Sequence, residues 1–243
     1  MATTPAAVEA PPRAPIWEDF VDIFFDPRAV FERRRDGRFV LALLVLSVAV
    51  AVLFFAAQKA LAPVFDAEFA RMSARLMAKN PQLTAEQVGR MREMGETFGV
   101  IGFAVVFPVA ILVGGLILWG IGKLFGAAVS VGAAVMVATY SKFPVLVQQL
   151  AGVAQGYVLS PEALDGHNRV SLGPARFYDP DVVSPMLIAL AGRLDLFTLW
   201  STLLVGLALH VVGKLPKREA FLAAGVFWVL GAFWPILGAL RQG

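Results

Sequence analysis

Residues 98–121 read FGVIGFAVVFPVAILVGGLILWGI, a run of 24 residues without a charged side chain. A helix of about 20 apolar residues is long enough to cross the roughly 30 Å of hydrocarbon in a lipid bilayer. The run is too long for a barrel strand, and its apolar residues do not alternate with polar ones. This stretch therefore predicts a transmembrane helix.

Four further apolar runs occupy residues 39–57, 126–151, 196–212 and 220–240. Lys142 is the only formal charge within them. Of the 243 residues, 58% are hydrophobic and 16% are charged, whereas soluble domains carry about 25% charged residues. The sequence therefore predicts an all-α, polytopic membrane protein with five transmembrane helices and the lipid bilayer as its surroundings.

Basic residues predict the orientation of these helices. With a cytoplasmic N-terminus, the cytoplasmic segments hold ten Lys and Arg in 49 residues, and the opposite side holds ten in 87. Arg33, Arg34, Arg35 and Arg38 precede the first span, and the loop at residues 213–219 carries three more basic residues. Because short basic loops stay inside, we expect a cytoplasmic N-terminus and an exported C-terminus in a bacterial inner membrane.

The N-terminal region divides into two parts. Residues 1–15 are rich in Ala and Pro and predict a disordered tail. Residues 16–38 predict an amphipathic cytoplasmic segment, in which Asp26 is placed to cap a helix that begins at Pro27. This segment could lie at the membrane interface or dock onto the protein's own helices. Its aromatic residues Trp17, Phe20 and Phe24 are the candidate partner-binding residues.

Two long segments lie on the opposite side of the predicted membrane. In the first, residues 66–79 favour a helix, and Thr84 to Gln87 has the spacing of a capping box that begins another. We expect these two to form a helical hairpin on the outer surface. The second, residues 152–195, is rich in Pro and Gly and predicts irregular structure.

The sequence contains almost no residues or motifs that could carry out catalysis. It has no cysteine and only two histidines, His167 and His210, which fall on opposite sides of the predicted membrane. No phosphate-binding, dinucleotide or hydrolase motif is present. We therefore predict no enzyme, no metal site and no cofactor. The arginines at 33–35 lie directly before a span, which indicates a topology anchor and no nucleic-acid site.

Lys142 is the one charge inside an apolar run, and Asp195 begins the fourth span on the same side. Intramembrane charges usually face a partner or a cavity. We expect Lys142 and Asp195 to form a polar pair, either a structural ion pair or part of a path for an ion or small solute. Alternatively, Lys142 could extend to the interface.

Three stretches resemble the Yip family, the Ypt/Rab-interacting membrane-domain proteins, in its bacterial branch. They are Phe24 to Phe31 (FFDPRAVF), Tyr140 to Pro144 (YSKFP) and Asp195 to Trp200 (DLFTLW). The resemblance covers about residues 17–240 and implies a cytoplasmic N-terminus, a helical bundle and a non-catalytic role. Eukaryotic relatives act in vesicle traffic with Rab-type GTPases. The leading hypothesis is a membrane scaffold or adaptor for membrane protein partners, and the alternative is a small-solute or ion permease.

The side of the membrane on which the C-terminus lies tests the five-span prediction. A reporter active only after export should work when it is fused after Gly243, and a reporter active only in the cytoplasm should be silent. The opposite pattern would require an even number of spans and would overturn the predicted topology.

Overall fold

The computed structural model describes residues 15–242 and is all-helical over that range. The described chain contains these α-helices: α1 (Ile16–Phe25), α2 (Pro27–Arg33), α3 (Val40–Ala60), α4 (Ala62–Lys79), α5 (Ala85–Leu124), α6 (Val131–Tyr140), α7 (Pro144–Val158), α8 (Pro185–Gly192), α9 (Leu196–Val211), α10 (Lys217–Leu230) and α11 (Phe233–Gln242). Residues 1–14 of the predicted tail lie outside the described residues.

Four segments of the described chain are long and apolar enough to cross a membrane: Val40–Ala60, Ile101–Leu124, Val131–Val158 and Lys217–Arg241. A fifth is formed if α8 and α9, which meet at a bend of 48°, act as one span. These helices confirm the all-α, polytopic fold class. The bundle core lies where α5 packs on α6, α9 on α10, and α3 on α7.

Three of these segments are interrupted part-way along. Residues 141–143 separate α6 from α7, residues 193–195 separate α8 from α9, and residues 231–232 separate α10 from α11. Pro144 occupies the first turn of α7, where its missing N–H costs no helical hydrogen bond. By contrast, α5 continues through Pro108. The breaks bring polar side chains such as Ser141 and Asp195 to the middle of the bundle.

The N-terminal segment is a helical hairpin of α1 and α2. The Asp26 side chain accepts a hydrogen bond from the N–H of Ala29 at 3.2 Å, so it caps α2 as the sequence predicted. The hairpin contacts α6 and α9. Of the two predicted placements, the structure therefore has the segment docked on the protein's own helices.

The outer segments differ in part from the sequence prediction. The capping box at Thr84 is present, and Arg92 pairs with Asp66 and lies over the ring of Phe69, so α4 and the start of α5 form the predicted hairpin. The second hairpin helix and the second span are one helix of 40 residues, because no proline separates them. The segment 152–195 is less irregular than predicted, since α7 extends into it and α8 lies within it.

Small residues allow the closest approaches between helices. A methyl group at Gly115 in α5 would lie 2.7 Å from the Cα of Val135 in α6. A methyl group at Gly206 in α9 would lie 2.6 Å from the ring of Phe221 in α10. Glycine at such positions lets two helix backbones pack directly, which is how membrane helices gain van der Waals contact.

We expect Gly115→Ala to lower the free energy of unfolding by roughly 1–3 kcal/mol, the usual cost of overpacking. Gly120→Ala in the same helix is the matched control, since nothing lies within 4 Å of a methyl group there. The control should be neutral or stabilising by about 0.5–1 kcal/mol, because alanine favours the helix. Thermal unfolding in detergent measures both, and equal effects would contradict the packing.

Candidate functional site

The carboxylate of Asp19 in α1 is fully buried and lies at the centre of an ionic cluster. One oxygen accepts from Nε and Nη2 of Arg33 at 3.0 and 2.8 Å. The other accepts from Nε of Arg34 and from the hydroxyl of Tyr140 at 3.2 Å. Four donors on two elements therefore surround one carboxylate, and Tyr140 joins the hairpin to α6.

A second carboxylate balances the cluster. Asp22 accepts from Nη2 of Arg33 at 2.6 Å, so two acids face two guanidinium groups, Arg33 and Arg34. Burial alone would lower the pKa of Arg33, but its hydrogen bonds to Asp22 and Asp19 outweigh that effect and raise the pKa. Charges removed from water need such partners, because an uncompensated one is strongly destabilising.

This cluster was missed in the sequence. Arg33 and Arg34 were interpreted as a topology anchor, and nothing in the local pattern singled out Asp19 or Asp22. The signal that could have found the cluster is the turn at Asp26-Pro27. A turn there folds two short helices back on each other and sets residues about 14 apart side by side.

Aromatic rings extend the contact between the hairpin and the bundle. Phe20 stacks on Phe143 with ring centroids 5.5 Å apart, and Phe24 meets Trp200 edge-on at 5.7 Å. Tyr140 in turn stacks on Phe143 at 5.6 Å. Pairs of this kind contribute about 0.5–1.5 kcal/mol beyond the area that they bury. Phe20 and Phe24 are therefore committed to holding the hairpin.

Trp17 is placed differently from the other two predicted partner-binding residues. It is 63% exposed, and Val21 and Phe25 on the same helix are 53% and 84% exposed. The spacing of four residues puts all three on one side of α1. We call Trp17, Val21 and Phe25 the apolar stripe. It lies on the hairpin away from the side that α1 buries with Asp19 and Ile23.

The three stretches that carried the family resemblance converge at this site. Phe24, from the first, contacts Trp200, from the third. Tyr140 and Phe143, from the second, contact Asp19 and Phe20 just before the first. The stretches are far apart in sequence and close in space because each contributes to the docking of the hairpin.

The structure does not bring Lys142 and Asp195 together as an ion pair. Asp195 caps α9 through the N–H of Phe197 at 3.0 Å, and it accepts from the hydroxyl of Ser171 and the N–H of Leu172, each at 2.8 Å. Gln148 adds a longer contact of 3.5 Å. Neutral donors therefore satisfy the carboxylate without a lysine.

Lys142 is exposed at the break between α6 and α7. Within residues 15–242 the side chain of Lys142 forms no hydrogen bond or ion pair, and the charge that acts on it is the like charge of Arg193. The expected ion pair between Lys142 and Asp195 is therefore absent from the described chain.

The described residues contain no group of three or more His, Asp or Glu side chains arranged to hold a metal ion. His210 contacts the backbone oxygen of Leu215 through Nδ1 at 2.7 Å, which closes the turn between α9 and α10. His167 lies in a short 3₁₀ turn of the outer segment. Neither histidine joins the Asp19 cluster.

Asp19→Asn should lower the free energy of unfolding by about 3–5 kcal/mol, because it leaves two guanidinium groups without their shared buried counter-charge. Asp36→Asn is the matched control, since Asp36 pairs with Arg38 at 2.8 Å on the exposed surface. That change should cost under about 1 kcal/mol. If thermal unfolding in detergent gives the two variants the same loss, the cluster does not stabilise the fold.

Comparison with known proteins gives one match. The family model of the Yip1 domain matches residues 21–238, which is most of the chain. Neither the curated proteins nor the solved structures contain a match. The matched range includes the second half of α1, α2, the helix breaks, Tyr140 and Trp200, whereas Trp17, Asp19 and Phe20 precede it. The chain therefore belongs to the Yip1-domain family.

Proposed function

We propose that this protein is a non-enzymatic membrane scaffold of the Yip type, which binds membrane protein partners through the exposed side of its N-terminal hairpin. The observation that carries the proposal is the apolar stripe. Trp17, Val21 and Phe25 project from a helix that is fixed to the bundle by the Asp19 cluster. A rigid, exposed aromatic surface binds with little loss of conformational entropy.

The neighbouring surface of the hairpin favours a protein partner over lipid. Arg28 and Glu32 of α2 form an exposed pair at 2.9 Å, and Asp26 beside Phe25 is exposed as well. Charges are costly against hydrocarbon. Aromatic residues and arginine, on the other hand, are enriched where proteins meet. A mixed surface of this kind suits a protein partner.

We also propose that the hairpin lies on the cytoplasmic side of a bacterial inner membrane. Contacts between loops support this orientation. Gly37 lies against Gly132 at the start of α6, and the N–H of Ala128 donates to the oxygen of Gly213 at 3.0 Å. The two basic clusters, around Arg35 and around Lys214, are therefore at one end of the bundle, as the positive-inside rule favours for the cytoplasm.

The transport hypothesis depended on Lys142 and Asp195 acting together. Asp195 is committed to the cap of α9 and to Ser171, and Lys142 has no carboxylate partner within the described chain. No observation favours a permease that uses this pair, so we propose the scaffold alone.

A photo-reactive residue in place of Val21 should cross-link to a specific protein in native membranes. The yield should fall at least fivefold when Trp17→Ser and Phe25→Ser are combined, because both anchors of the interface are then lost. Since both side chains are exposed, the double variant should still insert and fold. Mass spectrometry of the cross-linked species measures the yield and identifies the partner.

Val48 in α3 is the matched control, since it is an apolar residue 63% exposed on a membrane span. A photo-reactive residue there should cross-link mainly to lipid. If Val21 also yields only lipid adducts, or if its protein adduct is unchanged in the double variant, the stripe is not a partner-binding surface.

A further inference from the structure

A large, partly open cavity lies beside the outer segments of the chain. Its volume is about 1020 Å³, which is at the upper end of the range for small-molecule sites. It is lined by α4, α7, α8, α11 and the segment between α7 and α8. We call it the distal cavity. The proposed partner-binding stripe contributes nothing to its wall.

The wall of the distal cavity is rich in positive charge. Its cationic side chains are Arg71, Arg75, Lys79, Arg193 and Arg241, and its acidic side chains are Glu68 and Asp195. Both acids are engaged, since Glu68 accepts from the N–H of His167 at 2.8 Å and Asp195 caps α9. The side chains of Lys79 and Arg241 form no ion pair or hydrogen bond within residues 15–242. Arg71 is paired with Asp181, so the positive charge available to an anion is that of Lys79, Arg193 and Arg241.

Arg193 is the most deeply placed of these cations. Its Nη2 donates to the backbone oxygen of Trp228 at 2.6 Å, and the guanidinium lies 5.4 Å from the centre of the indole ring. Its Nε is buried and has no hydrogen-bond partner. Buried polar atoms are rarely left unpaired, and each one costs free energy. The guanidinium therefore lies at the cavity wall with hydrogen-bonding capacity that the protein itself does not use.

Neighbouring residues hold the Arg193 guanidinium in place. A methyl group at Gly231 would lie 2.9 Å from Nη2 of Arg193, so the absence of a side chain at Gly231 leaves room for the guanidinium. The indole N–H of Trp228 donates back to the oxygen of Arg193 at 3.1 Å. Because these contacts fix the side chain at the wall, Arg193 is preorganised to meet an anion.

Much of the remaining wall is apolar. It includes Leu61, Met72, Leu76, Ile188, Pro235 and Ala239. A small inorganic anion would leave this surface unused, whereas a ligand with both a phosphate group and a hydrocarbon chain would cover it. Basic pockets between membrane helices bind lipid head groups for the same electrostatic reason.

We propose that the distal cavity binds an anionic phospholipid, with its phosphate at Arg193, Lys79 and Arg241 and part of its chain against the apolar wall. Arg193 supplies a positive charge that is fixed at the cavity wall, and the other two cations attract the head group. The site is independent of the partner surface on the hairpin.

The test is native mass spectrometry of the full-length protein with phosphatidylglycerol and, separately, with zwitterionic phosphatidylcholine. Phosphatidylglycerol should bind at least tenfold more tightly. Arg193→Gln should weaken phosphatidylglycerol roughly tenfold or more, as expected for a hydrogen bond to a charged group. Lys79→Gln and Arg241→Gln should each weaken it about fivefold, the factor that corresponds to about 1 kcal/mol per basic residue.

Lys217→Gln is the matched control, because Lys217 is exposed at the opposite end of the bundle. It should leave binding unchanged. If Arg193→Gln does not fold, the Lys79→Gln and Arg241→Gln variants still test whether the cavity binds the lipid. Equal affinity for the two lipids, or an equal loss in the Lys217 variant, would overturn the proposal. If inorganic phosphate displaces phosphatidylglycerol at equal concentration, the site is for a free anion, and the lipid assignment is wrong.

Discussion

The buried carboxylate of Asp19 and the two arginines that surround it hold the N-terminal hairpin on the bundle. A charge removed from water is strongly destabilising unless an opposite charge lies beside it. Here Asp19, Asp22, Arg33 and Arg34 compensate one another, and the hydroxyl of Tyr140 ties the group to α6. The hairpin becomes part of the bundle, and its exposed side has a fixed position. The proposed scaffold function depends on that rigidity.

The two ends of the bundle use polar residues in different ways. At the hairpin end the charges cancel, so the cluster is closed and holds structure together. Around the distal cavity the cations outnumber the acids, and the acids are already engaged, so the charge remains available to a ligand. Arg193 and Gly231 lie at helix breaks, and the guanidinium fits there because Gly231 has no side chain. The proposed protein-binding surface and the proposed lipid site therefore do not overlap.

Part of the site followed from sequence and part did not. The cap of α2 at Asp26 and the capping box at Thr84 are local, because a side chain reaches only two or three residues along the chain. Trp17, Phe20 and Phe24 were predicted together as partner-binding residues, and the sequence could not separate the two that pack against the bundle from the one that is exposed. The pairing of Lys142 with Asp195 was inferred from similar depth in the membrane, and that is not sufficient for contact.

By itself, the sequence predicted an all-helical membrane protein with five spans, because the thickness of hydrocarbon imposes the length of each apolar run. The structure has four such segments, or five if α8 and α9 form one span. The sequence also indicated the family, because three short stretches resemble it in residue type and order. Only the tertiary structure decided which charges meet. Asp19 is paired with arginines about 15 residues away, Asp195 is satisfied by neutral donors, and Arg193 retains a free donor beside a cavity. Which charged groups interact depends on their distance and burial in the folded structure, and helix breaks and turns set those distances.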